Sequence, residues 1–397
     1  MKKSIVFLLL FFPVCLWSFD FGVDLNQDAV FGGIGDDTEA EYSAALIPHF
    51  AVSLGESADL YVSAALEAIY EYEEFSFAAE LLHTELSWRS GNLKIRAGRI
   101  PYADPLGFTV EGFFDGAQVL YDTTAGTFNA GGWYTGLLYK RNANITMTGD
   151  DFVSYYTALD YDNFSDTYFA SRRMLMAVGW EHPAIAEMIR ARASVLGQYD
   201  LNDTDNPYHS IYISAKAAIP VKQFIIALGG CMQMAKAGDK TGVGLAGELG
   251  GAWIVPTHFY SQLSLIGRFS SGKTDSIDPF IPITTKPQGS VLEAKLSGLS
   301  AFFLDYAAQL RPTVYAGLTA SYFIRSDKET YTAYPVNPVD NDGSVLGGEF
   351  FGRVTWSPLT DLSLNFGAGI FLPSMGNINP KADFQWRVEL ALMLVVF

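Results

Sequence analysis

Cysteine is nearly missing from this 397-residue chain: Cys15 and Cys231 are the two present. Cys15 falls in an N-terminal run expected to be removed, which leaves Cys231 alone and excludes an intramolecular disulfide from the mature chain. Charge is also scarce, at 17% of residues against about 25% in an ordinary soluble domain. Basic residues are the rarer sign, 26 against 43 acidic, and the formal charge of −17 argues against nucleic-acid binding. Five histidines occur, at 49, 83, 182, 209 and 258, none in a zinc-ligand spacing, and no G-x-S-x-G nucleophile elbow appears. These gaps predict a protein that is not an enzyme and carries no cofactor. Beyond residue 19, no stretch is apolar for the roughly 18 residues that a membrane helix needs.

Yet 49% of the residues are hydrophobic and 14% aromatic, with 37 glycines. A transmembrane barrel reconciles that content with the missing apolar runs, because only alternate residues of each strand must face lipid. The expected alternation recurs along the chain. Over 42–54, Tyr42, Ala44, Leu46, Phe50, Val52 and Leu54 share one face. Over 346–356, Leu346, Phe350, Val354 and Trp356 oppose Glu349, Arg353 and Thr355. The last segment is the clearest: Phe384, Trp386, Val388, Leu390, Leu392, Leu394 and Val396 form an unbroken apolar row opposite Asp383, Gln385, Arg387 and Glu389. A soluble β-sandwich or β-helix would need a polar outer face where these rows are greasy.

Residues 1–18 read as a signal peptide. Lys2 and Lys3 precede an apolar run over 5–17, and Ser18 is a small residue before cleavage. Residues 19–397 then form one barrel domain. Its connectors alternate in length. Short ones fall at 55–58, 90–91, 123–125, 183–187, 220–221, 255–257, 311–312 and 357–361. Longer ones fall near 31–41, 71–75, 100–113, 140–169, 200–207, 235–240, 270–288, 326–344 and 373–382. Short periplasmic turns facing long outer loops are the bacterial pattern. The count gives an all-β, antiparallel, up-and-down barrel of about 18 strands, with 16 as the alternative. It lies in the outer membrane, in contact with its lipid bilayer, with both termini periplasmic. The terminal Phe397 on an amphipathic last strand resembles the signal read by the barrel-assembly machinery.

A barrel this wide cannot fill its lumen with wall side chains. Function is then expected in inward charges and infolded loops. Alternation turns Lys94, Arg96, Arg190, Arg192, Arg268, Arg325, Arg353 and Arg387 inward, with Lys216, Lys295, Glu67, Glu71, Glu248, Glu293, Asp305, Glu349 and Glu389. These charges would either select solutes or pair with one another and hydrate the wall. The segment 93–121, LKIRAGRIPYADPLGFTVEGFFDGAQVLY, is broken by turn formers, with Arg99 closing one strand and Asp115-Gly116 opening the next. Gly98, Arg99, Asp104, Gly107, Gly112, Asp115 and Gly116 resemble in order the G-R…D…G…D-G pattern of alginate-export-type porins and related channels. The runs SYFIRSD (321–327), LGGEFFGRVTWSPLTDLSL (346–364) and GAGIFLP (367–373) look like closing hairpins of that family. The resemblance implies a porin, with Arg99, Asp104 and Asp115 either at a constriction or fixing a hairpin.

The aspartate- and tyrosine-rich stretch 140–169 suits a lumen plug or a ligand contact. Its carboxylates would suit a hard cation, though not in EF-hand spacing. Trp133, Trp180, Trp253, Trp356 and Trp386 are expected at the membrane interfaces. The residues together predict a porin-like channel for passive diffusion of small hydrophilic solutes, mildly charge-selective. A barrel whose surface loops act in adhesion or ligand binding is the second reading, and a barrel-embedded enzyme the third.

Overall fold

The computed structural model describes residues 19–71, 74–330 and 342–396. The expected signal peptide and Phe397 lie outside them. The described residues form one closed antiparallel sheet of 18 strands. The first half comprises β1 (Phe19–Ile34), β2 (Asp37–Ser53), β3 (Ala58–Glu71), β4 (Glu74–Ser90), β5 (Leu93–Ala103), β6 (Glu111–Thr123), β7 (Gly126–Tyr134), β8 (Arg173–Ile185) and β9 (Ile189–Asp200). The second comprises β10 (Tyr208–Val221), β11 (Phe224–Ala237), β12 (Lys240–Val255), β13 (Ser261–Ser270), β14 (Leu299–Arg311), β15 (Val314–Arg325), β16 (Val345–Leu359), β17 (Leu362–Leu372) and β18 (Gln385–Val396). Each strand pairs with its sequence neighbours, and β18 returns to β1, with Val23 opposite Val396. Closure matters because an unpaired edge in lipid would leave backbone N–H and C=O groups with no water to bind.

The strand order obeys the expected rhythm of turns, and both ends of the barrel chain lie on the short-turn rim. Two of the longer connectors prove tight. The expected loop at 31–41 is a two-residue turn between Ile34 and Asp37, and that at 235–240 is the turn between Ala237 and Lys240; of the expected loop at 71–75, Glu71 closes β3, Glu74 opens β4, and 72–73 lie outside the described residues. Polar and small residues there are carried on strands that project past the apolar band.

Outward rows match the alternation. Phe302, Leu304 and Tyr306 on β14, Leu318 on β15, Phe350, Val354 and Trp356 on β16, and Leu390 on β18 are all exposed. Leu346 departs from its expected row. Between Phe323–Gly347 and Ile324–Val345 the β15–β16 register slips by one residue, with Gly347 at φ +154°. A bulge inverts the facing of the residues beyond it, so Leu346 is 0% exposed and packs with Phe323 and Phe371 inside. Trp133 also leaves its expected interface. It is 1% exposed and packs inside against Tyr102, with ring centroids 4.2 Å apart.

The outward rows can be tested against the inward ones. Leu304→Arg, at mid-strand on the lipid side, is expected to cost about 2–4 kcal/mol in denaturant titrations of the vesicle-embedded barrel. Thr319→Arg, on the lumen side of β15, is expected to cost far less.

Candidate functional site: an occluded lumen

The lumen is occupied by loops. The connector 104–110 folds inward from the tips of β5 and β6. Asp104 holds its shape by accepting the backbone N–H groups of Leu106 (3.2 Å), Gly107 (3.0 Å) and Thr109 (3.2 Å). Burial outweighs those donors and raises the Asp104 carboxyl above its ordinary pKa. Leu106 reaches the wall at Gly229 on β11.

Two longer loops complete the plug. The connector 135–172 carries short helices α1 (Lys140–Ala143), α2 (Gly149–Tyr156) and α3 (Phe164–Tyr168). The connector 271–298 is irregular and runs between the other two. Its Ile283 N–H donates to Thr109 O (2.7 Å), its Thr285 N–H donates to Asn144 O (2.8 Å), and its Lys286 pairs with Glu111 (2.8 Å). Phe108, Phe280, Ile283, Leu138, Ile145 and Leu296 form with Tyr212 and Leu196 an apolar cluster inside the barrel. Irregular backbone at this depth is tolerated because it packs on protein.

Wall charges fasten the plug. Glu349, 1% exposed, accepts the N–H groups of Ser290 (2.7 Å), Val291 (3.0 Å) and Leu292 (2.8 Å). Arg268 donates to Glu248 (2.7 Å) and to Gln288 (3.1 Å), with its guanidinium over Phe108 and Phe303. Lys216 shares Glu248 at 2.9 Å. Arg387 bridges Glu389 and the loop residue Glu293, each at 2.7 Å. Arg325 is buried and donates to Gly343 O (2.9 Å). Glu293 and Lys295, read from alternation as wall residues, belong to the connector 271–298, which interrupts the strand pattern.

Other inward cations stand nearer water. Arg96 binds Glu85 through Nε (2.7 Å) and Nη2 (2.6 Å), and Arg192 binds Glu181 (2.8 Å). Lys94 and Arg190 lie near the short-turn rim and Arg353 in mid-wall, without an ion-pair partner among the described residues. Arg353 lines a cavity of about 490 Å³ with Asp28, Ser290, Thr355, Asn365 and Glu389. Asp28 also borders a smaller cavity of about 200 Å³ lined by Glu41, Glu67, Glu71 and Arg141. Arg141 pairs there with Glu71 (3.1 Å) and lies over the Tyr155 ring.

Arg99 and Asp115 do not alternate with these. Opposite each other across β5–β6, they stand one residue out of phase with the inward pairs Arg96–Gln118 and Ile100–Phe114. The β4–β5 ladder stops at Thr84–Arg99, where Gly98 adopts φ +124° and a Cβ would meet Thr84 O at 2.2 Å. Beyond that point the edge of β4 lacks a strand neighbour, and side chains replace one. Arg99, 5% exposed, donates to Leu81 O and to both Asp115 oxygens (2.9 and 2.8 Å). Tyr161 accepts from Phe77 N–H (2.7 Å) and donates to Phe77 O (2.9 Å), and Tyr168 donates to Ala79 O (2.7 Å). Arg99 and Asp115 thus close a seam in the wall instead of facing the pore, and Asp104 is engaged by its own loop.

Of the loop aspartates, Asp151 is engaged by the wall. Asp151 receives Arg173 at 2.6 Å, and the described residues contain no cluster of three or more His, Cys, Asp or Glu that could hold a metal. One motif escaped the sequence reading: Gly267–Thr274 spells G-x-x-x-x-G-K-T, the spacing of a phosphate loop. Gly267 lies within β13 and no helix follows Thr274, so the backbone that would cradle phosphate is absent there.

No protein-family model matches the chain, and no curated protein sequence does. Solved structures do match. OprD of Pseudomonas aeruginosa aligns at TM-score 0.59 and 13% identity, over 95% of this chain and 93% of its own. OccK2 (OpdF) of the same organism, in complex with glucuronate, aligns at TM-score 0.62 and 11% identity, over 96% and 99%. OccK11 (OpdR) aligns at 0.58 and 12%, over 96% of both. This chain has the fold of an outer-membrane porin. The alginate-export likeness is not supported: the structures named above are OprD and OccK proteins, and the motif's Arg99, Asp104 and Asp115 serve wall and loop geometry.

Two measurements test this construction. Glu349→Ala strands three amides and is expected to speed hydrogen exchange at 290–292 about a hundredfold, leaving outer-strand amides unchanged. Lys140 is buried, donates to Thr157 O (2.7 Å), and is lowered by burial and by Arg141 to about 8. Its folded pKa lies below the ordinary 10.5, so between those values the unfolded loop holds a proton that the folded loop has shed. Stability of the 135–172 loop therefore rises with pH over that window. Chymotryptic nicking there, corrected for protease activity, is expected to slow from pH 7.5 to 9.5, and Lys140→Met is expected to abolish the change.

Proposed function

We propose that the protein is an outer-membrane channel for passive diffusion of small hydrophilic solutes, with the long-loop rim outside and the termini in the periplasm. The observation that carries this reading is a charged inner wall narrowed by three loops, two of them bonded to the connector 271–298, behind an apolar outer wall. A barrel built only as an anchor for surface loops has no need of inward charges on nearly every wall segment. The plug leaves cavities along β16, β18 and β1 to β3, one lined by Asp28, Arg353 and Glu389 and the other by Asp28, Glu41, Glu67, Glu71 and Arg141. Charges of both signs in one cavity set up a local field, which orients a polar solute and discriminates by charge.

Of the candidate residues, Lys94, Arg190 and Arg353 are those free to meet a solute. Arg96, Arg192, Arg268, Arg325, Arg387, Glu349 and Glu389 act mainly by holding the wall and plug in place. Glucuronate bound to OccK2 is an anionic sugar acid, and the free arginine and lysine side chains fit solutes of that charge. The C-terminal segment that ends at Phe397 is the proposed contact with the barrel-assembly machinery.

Planar-bilayer recording of the refolded chain tests the reading. Discrete conductance steps are expected, with a reversal potential across a salt gradient that shifts toward cations in Arg353→Glu and toward anions in Glu67→Gln. A lumen that passes no current would reject the channel and favour ligand binding by the surface loops.

A further inference from the structure

The strand cations Lys94, Arg96, Arg190, Arg192, Lys216, Arg268, Arg325, Arg353 and Arg387 all fall on the lumen side of the register. Lys236 departs from that pattern, as Arg99 does, but Arg99 is buried against Asp115 whereas Lys236 is exposed. On β11, Cys231 and Gln233 are buried inward while Met232 and Met234 are exposed outward, so Lys236 points to the lipid side one residue from the strand end. His209 on β10 is its direct cross-strand partner, and Thr241 on β12 flanks it. One row deeper stand Ile211, Met234 and Val243, aligned across the same three strands. Tyr199 on β9 lies beside His209, its ring tilted at 51° and 5.9 Å away between centroids.

These residues line a groove of about 500 Å³ whose lining contains no carboxylate, in a chain with 43 acidic residues. His209 Nδ1 accepts the Asp200 N–H (3.1 Å), which leaves the proton of the neutral ring on Nε2 as a donor. Cross-strand partners stand about 5 Å apart at Cβ, so the Lys236 ammonium and the His209 Nε2–H can reach oxygens of one phosphate. The apolar row beneath offers acyl chains a surface along the strand direction.

We propose that this outward groove over β9 to β12 binds a phosphate-bearing lipid of the outer leaflet. A lysine turned toward acyl chains is unfavourable unless it sits at the interface or meets an anion, and the carboxylate-free lining supplies charge complementarity to one. The groove lies on the strand wall beside the long loops, so its natural occupant is the lipid already pressed against that wall. The inference rests on the barrel's membrane placement and is independent of transport.

Native mass spectrometry of the refolded full chain in non-ionic detergent tests it. The probes are synthetic bisphosphorylated lipid A, its dephosphorylated form, and dioleoylphosphatidylcholine, with inorganic phosphate as competitor. One lipid A is expected to remain bound in the presence of millimolar phosphate, with Lys236→Gln weakening binding about tenfold and His209→Gln by a smaller factor. Both variants replace partly or fully exposed outward side chains, and unchanged conductance and heat-modifiable migration check that each folds. Equal retention of the dephosphorylated lipid, full displacement by phosphate, an unaltered affinity in Lys236→Gln, or a change in subunit number in place of lipid binding would each overturn the proposal. Failure of the wild-type chain to insert into vesicles would instead reject the membrane placement.

Discussion

Backbone hydrogen bonding in lipid is the constraint on which this structure depends. Each N–H and C=O at membrane depth needs a partner within the protein, and the 18-strand ring supplies it by pairing every strand on two sides. Where the ring falls short, between β4 and β5, the molecule does not leave the edge bare. Tyr161, Tyr168 and Arg99 present side-chain groups to Phe77, Ala79 and Leu81 as a strand would. The motif around Arg99 is thus explained by wall repair, and the loop 135–172 serves the wall as well as the lumen.

Inside, the same constraint takes a different form. A lumen too wide for wall side chains admits loops, and a loop carries unpaired backbone into a confined space. Asp104 and Glu349 answer this by gathering amides onto single carboxylates, and the connectors 104–110, 135–172 and 271–298 answer it by bonding to one another. Inward charges therefore divide by role. Some are bound to loops or to each other, and others, such as Arg353, have no ion-pair partner among the described residues and line an inner cavity.

Much of this was legible in the chain beforehand. The strand count, the alternation of short and long connectors, and the inward set led by Arg96, Arg190, Arg268 and Arg387 follow from period-two patterning, which is local. The departures have separate physical origins. Leu346 changed face because of a one-residue bulge at Gly347. Trp133 lies opposite Gly116 on the inward phase of β6–β7, where Tyr102 packs against it. Glu293 and Lys295 belong to a connector that interrupts the strand pattern.

The sequence by itself determined an alternating, closed, all-β wall with greasy rows outward and charges inward, because neighbouring residues on a strand must point to opposite sides whatever lies elsewhere. Tertiary structure alone decided which charges meet water and which tie down a plug. Contacts such as Lys286 with Glu111, 175 positions apart, join loops whose meeting depends on how the whole ring closes. No local pattern encodes that meeting.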